Sequence, residues 1–147
     1  MERVNRILRH PDFIRLQEEL DRLEADRRFC RHGMQHLIDT ARLAYLFALE
    51  SSADLPKDVI YAAALLHDIG RAEQYRNGTP HDVAGCAAAE PILAECGFAE
   101  EERDMIFQVQ RIYFRRQTEI QGFVCGVDDG STPVAQCAPA EIVPATP

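Results

Sequence analysis

His67 and Asp68 stand side by side where the apolar run Ala64-Leu65-Leu66 stops, just ahead of Ile69 and Gly70. An imidazole and a carboxylate buried without partners cost several kcal/mol, so something must compensate both. An isolated His-Asp pair is ordinarily a hydrogen-bonded histidine and a solvated aspartate at a helix end. Here, three more histidines, His32, His36 and His81, lie at or beside predicted helix ends in the neighbouring segments. Neutral imidazoles and a carboxylate suit Mn, Fe, Zn, Co or Ni, whereas Mg favours oxygen-only surroundings. A divalent transition metal between helices accounts for such groups near a core. His10, next to Pro11, has no evident partner and is expected at the surface.

Helices must position these groups. Asp12 is a good N-cap, and Phe13, Leu16, Leu20 and Leu23 follow at helical spacing, predicting a surface helix with a charged outer face. In the next segment His36, Thr40, Ala41, Ala44, Tyr45 and Ala48 recur every three or four residues, small enough to admit a neighbouring helix. Pro56 suits the first turn of a third helix, which is apolar nearly all round up to Gly70 and is therefore the expected core element. Residues 71–80 read as a loop, with turn signals at Asn77-Gly78 and Pro80. A helix with a kink at Pro91 is predicted from His81 to Gly97. Another follows from Ala99, acidic in its first turn and basic in its last. No β-branched alternation or hairpin dipeptide recurs, so the chain is expected to be all-α, a single-domain bundle of about five to seven helices. The expected divisions are an N-terminal helical segment over 1–28, the histidine-bearing domain over 29–130, and a poorly ordered tail over 131–147 rich in Pro and Ala.

Composition narrows the function. A chain of 147 residues, 46% of them hydrophobic, supports one core. The net charge of -8 and pI near 5.1 argue against a nucleic-acid polymer or an anionic membrane as partner. The one basic stretch, Arg111 to Gln117, reads as a solvated helix face. No run of about 18 apolar residues occurs and the N-terminus is too charged for a signal peptide, so the cytoplasm is the expected compartment. Five cysteines, with no CxxC pair, are expected to be reduced; Cys86 and Cys96 read as small core side chains.

With His36, then His67-Asp68 within "LLHDIG", then a later aspartate, the chain resembles the HD-domain superfamily of metal-dependent phosphohydrolases, named for that adjacent pair. "HLIDTARLA" is similar to the family's first motif, a metal-binding His opening a helix with small apolar residues four, five and eight places on. The resemblance covers roughly residues 29 to 128. It implies metal ligands at His36, His67, Asp68 and Asp128, with Asp129 as the alternative to Asp128. It implies further that His32 sits near a substrate phosphate and that His81 serves a second ion.

Such an ion lowers the pKa of bound water and polarises a phosphoryl group. The expected activity is hydrolysis of a phosphoester or phosphoanhydride in a small phosphorylated substrate, with Asp68 placed to bind the metal and help position the attacking water. Arg71 and Arg42 are expected to neutralise phosphate charge. In the monophosphate nucleotidases of the family an acidic residue stands three places after the aspartate. Here that place is Arg71, which leaves nucleotide polyphosphates, cyclic or dinucleotide substrates and other esters open. A catalytically silent HD-fold regulatory module and a di-iron oxygenase are the rival readings, and a homodimer is left open.

Overall fold

The most apolar stretch of the chain forms the middle of the fold. The computed structural model describes residues 1–28 and 31–111. They form seven helices: α1 (Glu2–Arg9), α2 (Pro11–Leu23), α3 (Met34–Glu50), α4 (Lys57–Leu66), α5 (Arg71–Asn77), α6 (His81–Glu95) and α7 (Glu100–Val109). No strand occurs among the described residues, so the fold is all-α. In α4, Val59, Ile60 and every residue from Ala62 to Leu66 are buried. Each large aliphatic side chain removed from water contributes roughly 1.5–3 kcal/mol.

The neighbours of α4 are set by side-chain size. Ala41, Ala44 and Ala48 of α3 are buried, and their short side chains let α3 lie along α4. Val4 and Ile7 of α1, and Ile106 and Val109 of α7, complete the core around it. Arg3 fastens these elements from outside: its guanidinium reaches Asp58 of α4 at 2.6 Å and Glu102 of α7 at 2.5 Å, and lies 4.3 Å over the Phe98 ring. None of the helices is long and apolar enough to cross a membrane, among the described residues.

Several local expectations are corrected. The central helix ends at Leu66, and Gly70 does not stop it. The Ile69 N–H donates to the Leu66 carbonyl and the Arg71 N–H to the Asp68 carbonyl, so the chain makes one tight turn and re-enters helix as α5 where a loop is expected. The turn signal at Asn77-Gly78 is the end of that helix, with Gly78 in the left-handed region at φ 80°. Pro91 lies inside α6 without ending it. His10, not Asp12, caps α2: Pro11 takes the first helical position, and His10 Nδ1 accepts the Asp12 N–H at 3.2 Å. His10 is buried rather than on the surface, its Nε2 being 3.1 Å from Glu95. Leu23 is exposed, and the inward line of α2 runs instead through Phe13, Gln17, Leu20 and Glu24, which caps its C-terminus. Cys96 joins the core and Cys86 is half-buried. The basic stretch beyond Arg111, the expected tail and the three other cysteines lie outside the described residues.

Candidate metal centre

Three local features bring the histidines and Asp68 together. His36 opens α3 in its first turn, His67 follows the last residue of α4, and Asp68 sits in the turn before α5. Because α3 and α4 pack side by side through alanines, the start of one faces the end of the other. His36, His67 and Asp68 each offer a ligand atom, all within 4.8 Å of one another.

The arrangement centres on one carboxylate oxygen. Asp68 is 1% exposed, and its Oδ2 makes no hydrogen bond. Around Oδ2 stand His67 Nε2 at 2.7 Å, His36 Nε2 at 3.4 Å and His32 Nε2 at 3.9 Å. The 2.7 Å approach lies outside hydrogen-bonding geometry. His36 Nε2 and His67 Nε2 are also 3.4 Å apart. Two donors bound to one tetrahedral ion at about 2.0–2.1 Å stand roughly 3.3–3.4 Å from each other, so the spacing is that of a shared cation. Asp68 Oδ1 accepts from Arg71 Nε at 2.5 Å.

The second nitrogen of His67 and of His32 settles which way the lone pair of each points. His67 Nδ1 donates to the Ala64 carbonyl at 2.6 Å, which leaves Nε2 as the basic nitrogen facing inward. His32 Nδ1 donates to Glu24 at 2.6 Å, with the same consequence. Burial pushes the Asp68 carboxyl up, but the surrounding His67, His36 and Arg71 side chains together hold it well below the usual carboxylate range. The group is therefore an anion at neutral pH, the form a metal requires. Burial likewise opposes ionisation of Glu24, and hydrogen bonds from the His32 ring, the His32 backbone and the Tyr75 hydroxyl bring it down to about 2.

A buried carboxylate oxygen without a hydrogen bond, facing three imidazole nitrogens, fits a bound divalent cation. Nitrogen and oxygen donors together favour Mn, Fe, Co, Ni or Zn.

The other expected residues divide. Arg71 is at the site, but its Nε is committed to Asp68. His81 stands in the first turn of α6 outside the group of three donors. Burial lowers its pKa, the Arg71 charge adds to this, and Asp68 opposes both. The main chain there is pressed against Gly70: a Cβ on Gly70 would lie 2.1 Å from the His81 carbonyl oxygen and 2.4 Å from the Gly85 nitrogen. The glycine of "HDIG" is thus a contact surface for α6, with an ordinary right-handed φ of −82°. Arg42 is exposed and pairs with Asp39 at 3.2 Å. Six residues after His36 is about 240° around a helix, the side away from the site. Asp128 and Asp129 lie outside the described residues.

Glu24 was not legible as a site residue. It belongs to a charged run at the end of an amphipathic helix, where solvation is the ordinary expectation. The one available signal was its position four residues after Leu20, in line with Phe13 and Gln17.

Comparison with known proteins bears on the same stretch. The family model for the HD domain matches residues 33–124. An uncharacterized protein of Clostridium beijerinckii is 41% identical over 108 residues, 74% of this chain and 69% of that one. Ribonuclease Y of Chloroflexus aurantiacus is 36% identical over 80 residues, 54% of this chain but 15% of the ribonuclease. Ribonuclease Y of Thermoanaerobacter pseudethanolicus is 37% identical over 81 residues, 55% of this chain and again 15% of the relative. No solved structure matches.

Proposed function

We propose, for a chain that belongs to the HD domain family, that this protein is a metal-dependent phosphohydrolase. The observation that carries the proposal is the convergence of His36 and His67 on a buried Asp68 carboxylate oxygen that lacks a hydrogen bond. These three side chains would hold a divalent transition metal, which supplies Lewis acidity toward a phosphoryl oxygen and an acidified water.

The chain's own residues do the rest. The Ala64 carbonyl holds the His67 tautomer, and Arg71 fixes the Asp68 carboxylate through Oδ1, leaving Oδ2 to face the centre. The Arg71 guanidinium is proposed to offer its positive charge to a substrate phosphate as well. Asp128 is proposed to complete the ligand set and His81 to serve the second ion or the phosphate. The substrate is proposed to be a small phosphorylated molecule, because a chain of net charge −8 does not attract a polyanion. The ribonuclease Y relatives keep a phosphodiester within the substrate class.

Metal analysis of the purified protein, together with hydrolysis assays over nucleotides, a cyclic dinucleotide, an RNA oligomer and p-nitrophenyl phosphate, tests this. The expected result is bound transition metal and metal-dependent turnover, both lost in Asp68→Asn and His67→Ala. A metal present at a hundred times its Kd should stabilise the native protein by about 2.7 kcal/mol, and Asp68→Asn should lack that stabilisation. Turnover retained in Asp68→Asn refutes the mechanism. Bound metal without turnover on any substrate supports the regulatory module instead.

A further inference from the structure

Glu24, 3% exposed at the C-terminus of α2, has no part in the ligand set. Its two oxygens divide the surrounding donors between them. Oε2 accepts the backbone N–H of His32 at 2.7 Å. Oε1 accepts the His32 Nδ1–H at 2.6 Å, the Tyr75 hydroxyl at 2.7 Å and Arg27 Nη1 at 3.3 Å. The other side of the His32 main chain is held as well, since Gln17 Nε2 donates to its carbonyl at 2.9 Å. With its backbone and one ring nitrogen fixed, His32 has a single orientation, and its Nε2 faces Asp68 Oδ2 at 3.9 Å. With the proton on Nδ1 of the neutral ring, Nε2 turns a lone pair toward a carboxylate oxygen, an arrangement that a cation between them makes favourable.

We propose that Glu24 is a positioning residue of the metal centre: it keeps the His32 proton on Nδ1 and so makes Nε2 a fourth donor turned toward the ion held by His36, His67 and Asp68. This rests on the metal-centre reading of the same site. A histidine's outward N–H held by a carboxylate is a recurrent support for metal ligands, and its loss typically costs about 10–100-fold in metal affinity.

Glu24→Gln is the discriminating substitution. The His32 backbone N–H needs an acceptor, so the amide oxygen must serve it, and the amide NH2 then faces His32 Nδ1. The ring answers by moving its proton to Nε2, where it blocks the donor. The measurements are nitrogen-15 chemical shifts of the His32 ring in the zinc-loaded protein and Co(II) titration of the full chain. Wild type is expected to carry the proton on Nδ1. Glu24→Gln is expected to carry it on Nε2 and to bind Co(II) about 10–100-fold more weakly. His32→Gln should lose a similar factor, and the double variant little more. Tyr75→Phe, which leaves the carboxylate in place, should keep the wild-type tautomer. Wild-type affinity in a folded Glu24→Gln overturns the proposal, as does an Nε2 proton in wild-type His32, which decides the matter even if Glu24→Gln does not fold. If Co(II) binds normally to His32→Gln, this inference fails while the three-donor centre stands; if wild type binds no metal, both fall.

Discussion

Replacing Gly70 by alanine adds one methyl group at the tightest backbone contact beside the candidate centre. The new Cβ would stand 2.1 Å from the His81 carbonyl oxygen, 2.4 Å from the Gly85 nitrogen and 2.9 Å from the Gly85 Cα. All three are main-chain atoms of α6, so no side chain can rotate away. The nearest is more than 1 Å short of ordinary contact at about 3.5 Å, and α6 must retreat as a body or the turn must open. Overpacking of this kind costs about 1–3 kcal/mol, with a backbone clash at the upper end. Gly85 sits across the same contact and is the control. A Cβ there would find its nearest neighbours at 3.6 to 3.9 Å, and alanine is favoured over glycine in a helix interior by about 1 kcal/mol. The two variants should therefore differ by about 3–4 kcal/mol, with Gly70→Ala destabilised and Gly85→Ala neutral or stabilised. At roughly 3 °C per kcal/mol for a domain of this size, thermal melts should be separated by about 10 °C. Gly70→Ala melting at or above Gly85→Ala would refute the close-approach account of this glycine.

Two further outcomes follow from the charges. Glu24 has its pKa depressed to about 2 in the fold, and Asp68 is depressed as well. A depressed carboxylate stabilises the native state above its unfolded pKa, near 4.3 for Glu, and that stabilisation is lost as pH falls through the folded value. Denaturant unfolding should therefore show stability declining from about pH 4.5 toward 2, and Glu24→Gln should be less stable at neutral pH with a shallower decline over that window. Arg42→Ala should leave metal affinity and any hydrolysis within about twofold of wild type and change stability by less than about 0.5 kcal/mol, because an exposed pair with Asp39 contributes little. A tenfold loss in kcat/KM would return Arg42 to the site.

Some of the site is carried by short-range pattern. The apolar run into His67-Asp68 and the row of small residues after His36 each describe a helix and its end, and local propensity and periodicity are enough to place those groups at helix termini. The all-α architecture is legible for the same reason. Local pattern fails where a contact from a distant element overrides it. His10 resembles a surface residue until Glu95, eighty-five residues later, meets its ring. Residues 71–80 resemble a loop because their turn signals are real, yet a tight turn at 67–70 restarts the helix before them. Glu24 looks solvated because charge at the end of an amphipathic helix usually is.

From residue types and spacing came the helices and the histidines and Asp68 at their ends, and the resemblance to the HD family singled out His36, His67 and Asp68 among them. Tertiary structure decided how those donors meet, which oxygen is left without a hydrogen bond, and which nitrogen of His32 and His67 holds its proton. The physical reason is range. A helix end is written in a few consecutive residues, whereas the orientation of an imidazole depends on what its other nitrogen finds, and for His32 that is the carboxylate capping α2, itself held by Tyr75 fifty-one residues beyond.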